Sequence, residues 1–216
     1  MAILGKIIKI YNETNQGDIL IHLDETLFIG EGRNRKCYIH PNDTNLCIKI
    51  PTPRGERSAN RERRYFKRLH LYSKNMEMIS DYKGGVKTDL GNGDIFELIR
   101  DSDGNISKNL KYYLELDLDI INKQIIEQIE LLRVYLKTEY ILISDLGLDN
   151  ILLQKDGNEK LRLRVIDGIG DNNQVPFLEF VKPLGLKRSA KKWELFKAVI
   201  AKISLDIAIK IKSFNT

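Results

Sequence analysis

Three polar side chains stand at the edges of apolar runs in the second half of the chain. Asp145 and Asn150 bracket Asp145-Leu146-Gly147-Leu148-Asp149-Asn150, which leads into Ile151-Leu152-Leu153, and Asp167 closes Arg164-Val165-Ile166-Asp167. A carboxylate in such a loop can orient an attacking hydroxyl, while an amide oxygen and a second carboxylate are the hard donors that Mg²⁺ prefers. The spacing D-L-x-x-x-N turns both loop side chains into one cleft, as phosphoryl transfer requires. Asp167 ends the strand expected to pair back onto Ile151-Leu152-Leu153, and so is placed to add the second metal donor.

Upstream residues extend the same chemistry. Lys49 lies in the apolar run Leu46-Cys47-Ile48-Lys49-Ile50, where a buried ammonium needs an anionic partner. Glu62 precedes Tyr65 and Phe66 by a helical turn, so it points toward the same inward face and can supply that partner. Gly30 and Gly32, with Glu31 and Arg33, follow a strand-like Phe28-Ile29, where glycines let a backbone close over phosphates. Each feature has a plainer reading alone. Asp145, Asp149 and Asn150 are common turn residues. Gly30 and Gly32 suit a hairpin, Lys49 an edge-strand lysine with its head in water, and Glu62 a solvated helix charge. Their joint occurrence in this order favours one site.

The elements that must position these residues follow from pattern. Residues 7–50 read as β-rich, with Pro41-Asn42-Asp43 joining two strands, and Pro51 to Ser58 reads as a loop. A helix then starts with Ser58 or Asn60 as cap, its stripe formed by Tyr65, Phe66 and Leu69. Val86 to Ile99 reads as two strands around a Gly91-Asn92-Gly93 turn. Arg100 to Ser107 is polar and is taken as the crossing between lobes rather than a calcium loop, because the later ligands and closing Glu are missing. Residues 107–139 look helical, with Ile120, Ile121, Ile125, Ile126, Ile129, Leu132 and Leu136 near helical spacing. Asp156-Gly157 turns a hairpin, and a last helix begins near Ser189 with Trp193, Phe196, Val199, Ile200 and Ile203 on one side. Strands first and helices later predict an α+β protein of two lobes, 1–99 and 100–216.

Composition sets the outer bounds. Apolar residues make up 42% and charged residues 30%, which places the chain among folded domains with a core. The formal net charge of +5 favours anionic partners without choosing among nucleotide, phosphosugar, nucleic acid and membrane surface. Cys37 and Cys47 have no metal-ligand spacing and read as buried small hydrophobes. No run is long enough to span a bilayer, and Met1 to Asn12 is broken by Lys6 and Lys9, so the expected location is the cytoplasm. Lys187 to Lys192, basic and exposed in pattern, could meet an anionic acceptor or a membrane surface, or simply be a solvated helix start. Basic and aromatic residues do not alternate as single-strand nucleic-acid binding would require.

The order Gly-rich loop, strand Lys, helix Glu, D-L-x-x-x-N and strand-end Asp resembles the protein-kinase-like superfold from Gly30 to Asp167. More narrowly, Gly30 to Ile50, Arg61 to Leu69 and Leu186 to Ile200 resemble the YrbL family, which is bacterial, linked to the PhoP regulatory network and kinase-like in sequence. The resemblance implies a β-rich N-lobe over a shortened helical C-lobe, with ATP and Mg²⁺ between them. Gly30, Glu31, Gly32 and Arg33 would cover the phosphates, and Lys49 would hold them with Glu62 orienting it. Glu97 to Ile99 would border the adenine, Asp145 would be the catalytic aspartate, and Asn150 and Asp167 the metal ligands. Arg35 stands where a third loop glycine belongs, Ile143-Ser144 replace His-Arg, Gly147 replaces a lysine, and Gly168 replaces Phe. The pairings Asp-Leu-Gly and Ile-Asp-Gly are at home in aminoglycoside-phosphotransferase-like kinases. With no A-P-E segment after Asp167 and little chain left, the expected acceptor is a small molecule or carbohydrate, cell-envelope sugars included, rather than a peptide. The alternative is a pseudokinase whose nucleotide sets shape only.

Overall fold

The computed structural model describes residues 20–116, 123–157, 160–171 and 177–214. Met1 to Asn12, Ile120 and Ile121 lie outside the described residues. The run Cys47 to Ile50 is buried at every position, as expected of a strand covered on both faces. It belongs to β3 (Asp43–Pro51), the middle of an antiparallel sheet with β1 (Phe28–Glu31), β2 (Arg35–His40), β4 (Tyr82–Thr88) and β5 (Gly91–Glu97), in the order β1-β2-β3-β5-β4. Alternation splits β3 between two packing layers. Ile48 and Ile50 join Leu23 and Tyr38 on one face, while Cys47 joins Phe96, Tyr82 and Phe66 on the other.

The expected β2–β3 hairpin is present, but the next turn and helix start differ from the sequence reading. The β4–β5 turn is Asp89-Leu90, and Gly91-Asn92-Gly93 lie within β5. A Cβ on Gly93 would come within 2.7 Å of Ile48 Cγ2 and 2.8 Å of Ile50 Cδ1, so this glycine makes room for β3 side chains instead of bending the chain. Helix α1 (Glu56–Leu71) is capped by Gly55, not by Ser58 or Asn60. There a Cβ would sit 1.9 Å from the Asn34 carbonyl oxygen, so the backbone itself closes against the β1–β2 turn. The helix buries Ala59, Glu62, Tyr65, Phe66 and Leu69, a stripe at helical spacing.

Beyond β5 the chain crosses through Arg100 to Ser107. This segment is stitched down: Arg100 Nε donates to the Thr44 carbonyl at 2.7 Å, and the Lys155 N–H donates to Asp101 Oδ1 at 2.9 Å. The stretch expected to be helical from 107 starts with a short strand, β6 (Lys108–Asn109), followed by α2 (Leu110–Leu116) and α3 (Lys123–Thr138). A second sheet, β6-β7-β8, is completed by β7 (Ile151–Lys155) and β8 (Leu161–Val165), whose hairpin pairs Ile151 with Val165. Then come α4 (Phe177–Phe180) and α5 (Lys182–Phe214), the latter beginning several residues before Ser189. One apolar cluster runs from Phe66 and Phe96 through Ile79 to Leu132, Leu163, Trp193 and Phe196. Ile79 bridges Val165, and the Ser80 N–H donates to the Val165 carbonyl at 2.8 Å, which brings the end of β8 under the first sheet.

Candidate active site

Lys49 reaches the second half of the molecule. Its register on β3 sets it opposite Cys37 on β2 and Asp94 on β5, and its Nζ donates to the Ile166 carbonyl at 2.6 Å. The ammonium also lies 4.4 Å from the centre of the Phe96 ring. It therefore arrives one residue before Asp167. Burial pushes the Asp167 carboxyl up, but Lys49, Arg35 and the Gly168 N–H, 2.8 Å from Oδ1, together hold it below the usual aspartate range.

Glu62 is buried on α1 as its helical position predicted, but its ion-pair partner is Arg35 on β2 rather than Lys49. Both side chains are almost fully buried. Burial pushes the Glu62 carboxyl up more than Arg35 and Lys49 pull it down. Arg35 moves up despite its own burial, because it is shared among Glu62, Asp167 and Asp94 and gains from all three. Asp94, which the sequence reading did not single out, is also buried and lies 3.3 Å from Arg63 Nε. Arg35, at the position where the resemblance implied a third loop glycine, thus puts a buried charge facing the site. Its alternating place in β2 was the available signal.

The loop bearing Asp145 is positioned from three sides. Tyr65 on α1 accepts the Leu142 N–H at 2.7 Å on its hydroxyl. Ile143, in place of His, is buried in the main core and bridges Ile169, while the Ser144 N–H and hydroxyl both donate to the Gly168 carbonyl, at 2.6 and 2.9 Å. Gly168 has φ +72°, and a Cβ there would lie 2.6 Å from the Asp145 carbonyl oxygen. Only glycine lets the chain after Asp167 lie this close to Asp145. Asp145 is exposed and Asn150 half-buried. Their side chains flank Gly147, whose notional Cβ would lie 3.5 Å from Asp145 Oδ1 and 3.6 Å from Asn150 Nδ2. The Asn150 carbonyl accepts the Ile166 N–H at 2.9 Å, tying the loop's far end to the strand that delivers Asp167. Lys192 on α5, the last residue of the basic stretch noted in the sequence, donates to the Ser144 carbonyl. Burial and Arg188 push its ammonium down, whereas Asp145 and Asp171 hold it up.

The remaining candidates sit around this centre. Gly30 and Glu31 end β1, and Gly32 and Arg33 form its turn into β2, with the Gly32 N–H donating to the Arg35 carbonyl at 2.9 Å. A Cβ on Gly30 would meet nothing within 4 Å, so the fold itself does not demand glycine there. Glu97 ends β5 and Ile99 follows it, but the Glu97 carboxylate is held by Arg164 at 2.6 Å, and its carbonyl accepts the Ser80 hydroxyl at 2.8 Å. Ile99 is buried, and its carbonyl accepts the Ser107 N–H at 3.1 Å. Cys37 and Cys47 are partly and fully buried thiols beside Lys49. Among the described residues, no three or more His, Cys, Asp or Glu side chains gather into a metal cage. Two oxygen donors such as Asn150 and Asp167 suit Mg²⁺, which is held by one or two protein oxygens together with phosphate and water.

A β-rich sheet with an inward helix, joined to a helical part that carries a D-L-x-x-x-N loop and a strand-end Asp, defines a protein-kinase-like α+β protein. The crystal structure of Rad53 1–466 in complex with AMP-PNP superposes with a TM-score of 0.51 and 18% identity, covering 68% of this chain and 38% of that one. This likeness concerns the fold. The chain belongs to the family described as PhoP regulatory network protein YrbL, whose model matches residues 21–201. It is 33% identical over 198 residues to the uncharacterized protein YrbL of Escherichia coli (strain K12), covering 88% of this chain and 91% of that protein. The YrbL of Shigella flexneri matches to the same extent. No helix among the described residues is long and apolar enough to cross a membrane.

Proposed function

We propose that this protein is an ATP- and Mg²⁺-dependent phosphotransferase acting on a hydroxyl of a small-molecule or carbohydrate acceptor. The observation that carries the proposal is the 2.6 Å bond from Lys49 to the Ile166 carbonyl, because it joins the sheet that would cover a nucleotide to the strand end bearing Asp167. Gly168 then brings Asp145 against that same strand end. In this reading Lys49 positions the phosphates under Gly30 to Arg33, with Glu97 to Ile99 beside the adenine. Asp145, exposed to an incoming acceptor, orients the hydroxyl and takes its proton. Asn150 and Asp167 would hold a Mg²⁺, which when bound would supply neutralisation of charge on the phosphates. Glu62 acts through Arg35, fixing the charge that faces Asp167. Replacing Asp145 by Asn is expected to lower transfer about 10²–10⁴-fold while nucleotide affinity stays near wild type. Transfer at the wild-type rate in Asp145→Asn would remove this role.

A second reading, a nucleotide-binding regulator without chemistry, is favoured by one observation: Glu62 is engaged by Arg35 and Lys49 by a backbone carbonyl, so the Lys–Glu pair expected of an active kinase is not formed. Thermal shift with ATP separates the two readings. Stabilisation that needs Mg²⁺ supports the phosphotransferase, whereas stabilisation indifferent to metal, with no turnover across an acceptor screen, supports the regulator.

A further inference from the structure

A cavity of 410 Å³ opens between α3, the chain from Ile141 to Leu146, and the first turns of α5. Its size is that of a small-molecule site. The apolar part of its wall comes from Leu136, Ile143, Leu146, Leu186 and Trp193, and cations line it as well: Lys137, Lys187 and Lys192. Lys137 and Lys187 are exposed, and neither makes an ion pair with a described residue. The one carboxylate in the lining, Glu194, is turned to Lys197 at 2.8 Å, and Arg133 is taken up by Glu130. An apolar chamber with unmatched positive charge selects against two ligand classes. A hydrophilic phosphate would leave the chamber's wall wet, and a neutral lipid would leave the lysines without a counter-charge.

We propose that this cavity binds an amphiphile with a single apolar chain and an anionic head, the chain among Leu136, Leu146 and Trp193 and the head at Lys137 and Lys187. Lys192 lines the cavity and donates to the Ser144 carbonyl, one residue before Asp145, so an occupant adjoins the loop that carries the candidate catalytic carboxylate. The proposal stands apart from phosphotransfer and is tested without nucleotide.

Trp193 is the only tryptophan in the chain and therefore a built-in reporter. The full chain is titrated with dodecyl phosphate below its micelle concentration, alongside glycerol 3-phosphate and dodecyl maltoside, while Trp193 emission is followed. The expected result is a saturable change with dodecyl phosphate, at least about tenfold tighter than either control. Lys137→Ala with Lys187→Ala, both exposed positions, should weaken it by about tenfold or more. Ala190→Phe, an exposed cavity-lining position on α5, should abolish the change, with circular dichroism melts confirming that both variants fold. No saturable change overturns the proposal, as does equal affinity for either control or binding undiminished in folded Ala190→Phe. Binding that persists in Asp145→Asn supports it, and keeps the result separate from any failure of the phosphotransferase reading.

Discussion

At the residue scale, the behaviour of the candidate site turns on how few cations serve how many buried carboxylates. Arg35 and Lys49 face Glu62, Asp94 and Asp167, and Arg63 adds a third cation at Asp94. Burial leaves Glu62 above its ordinary value, so the folded chain keeps that proton to a higher pH than the unfolded chain does. Its contribution to stability is full below the ordinary glutamate value of about 4.3 and is lost as pH rises through the raised folded value. Glu62→Gln removes this dependence. Urea unfolding should therefore show wild-type stability falling relative to Glu62→Gln as pH rises above about 4; a constant difference would mean that Glu62 does not titrate in this way. The chemically distinctive residues, Lys49, Glu62, Asp145, Asn150 and Asp167, could be picked out from type and order because each is costly to bury or place without a reason. The partner of Glu62 could not. Lys49 and Arg35 are both inward cations on neighbouring strands, and only the packed sheet decides which one the carboxylate meets.

At the scale of elements, close approach explains what propensity alone misassigns. Gly93 looked like a turn and is a strand residue beneath Ile48 and Ile50, while Gly55 looked like part of a loop and caps α1. Both assignments depend on atoms distant in sequence, so no local window contains the information. Gly168 is different, since a glycine after a strand-end Asp already departs from the Phe of protein kinases, and its positive φ and contact with Asp145 supply the cause. Gly168→Ala is expected to cost about 1–3 kcal/mol by urea denaturation, from strain and overpacking. It should also reduce transfer more than nucleotide binding, because the displaced group is Asp145. An alanine variant equal to wild type in both measurements would show that the loop has room to yield.

At the scale of the molecule, the two sheets are joined by more than the crossing at Arg100 to Ser107. Phe66 and Phe96 from the first part and Leu132 and Leu163 from the second belong to one apolar cluster. The order of strands and helices made an α+β fold of two lobes readable; this shared interior was not, because it depends on where Ile79 meets Val165. Leu163 is fully buried, and Leu163→Ala should cost about 2–5 kcal/mol. Far-ultraviolet dichroism and Trp193 emission should still report a single coincident transition in urea; two separated transitions would mean that the halves melt independently. A common interior also constrains how such a chain can change over generations. Point replacements can be absorbed one at a time, but recombination that imports one half from a distant relative would mismatch many contacts of this interior at once, so such chimeras should be less stable than either parent.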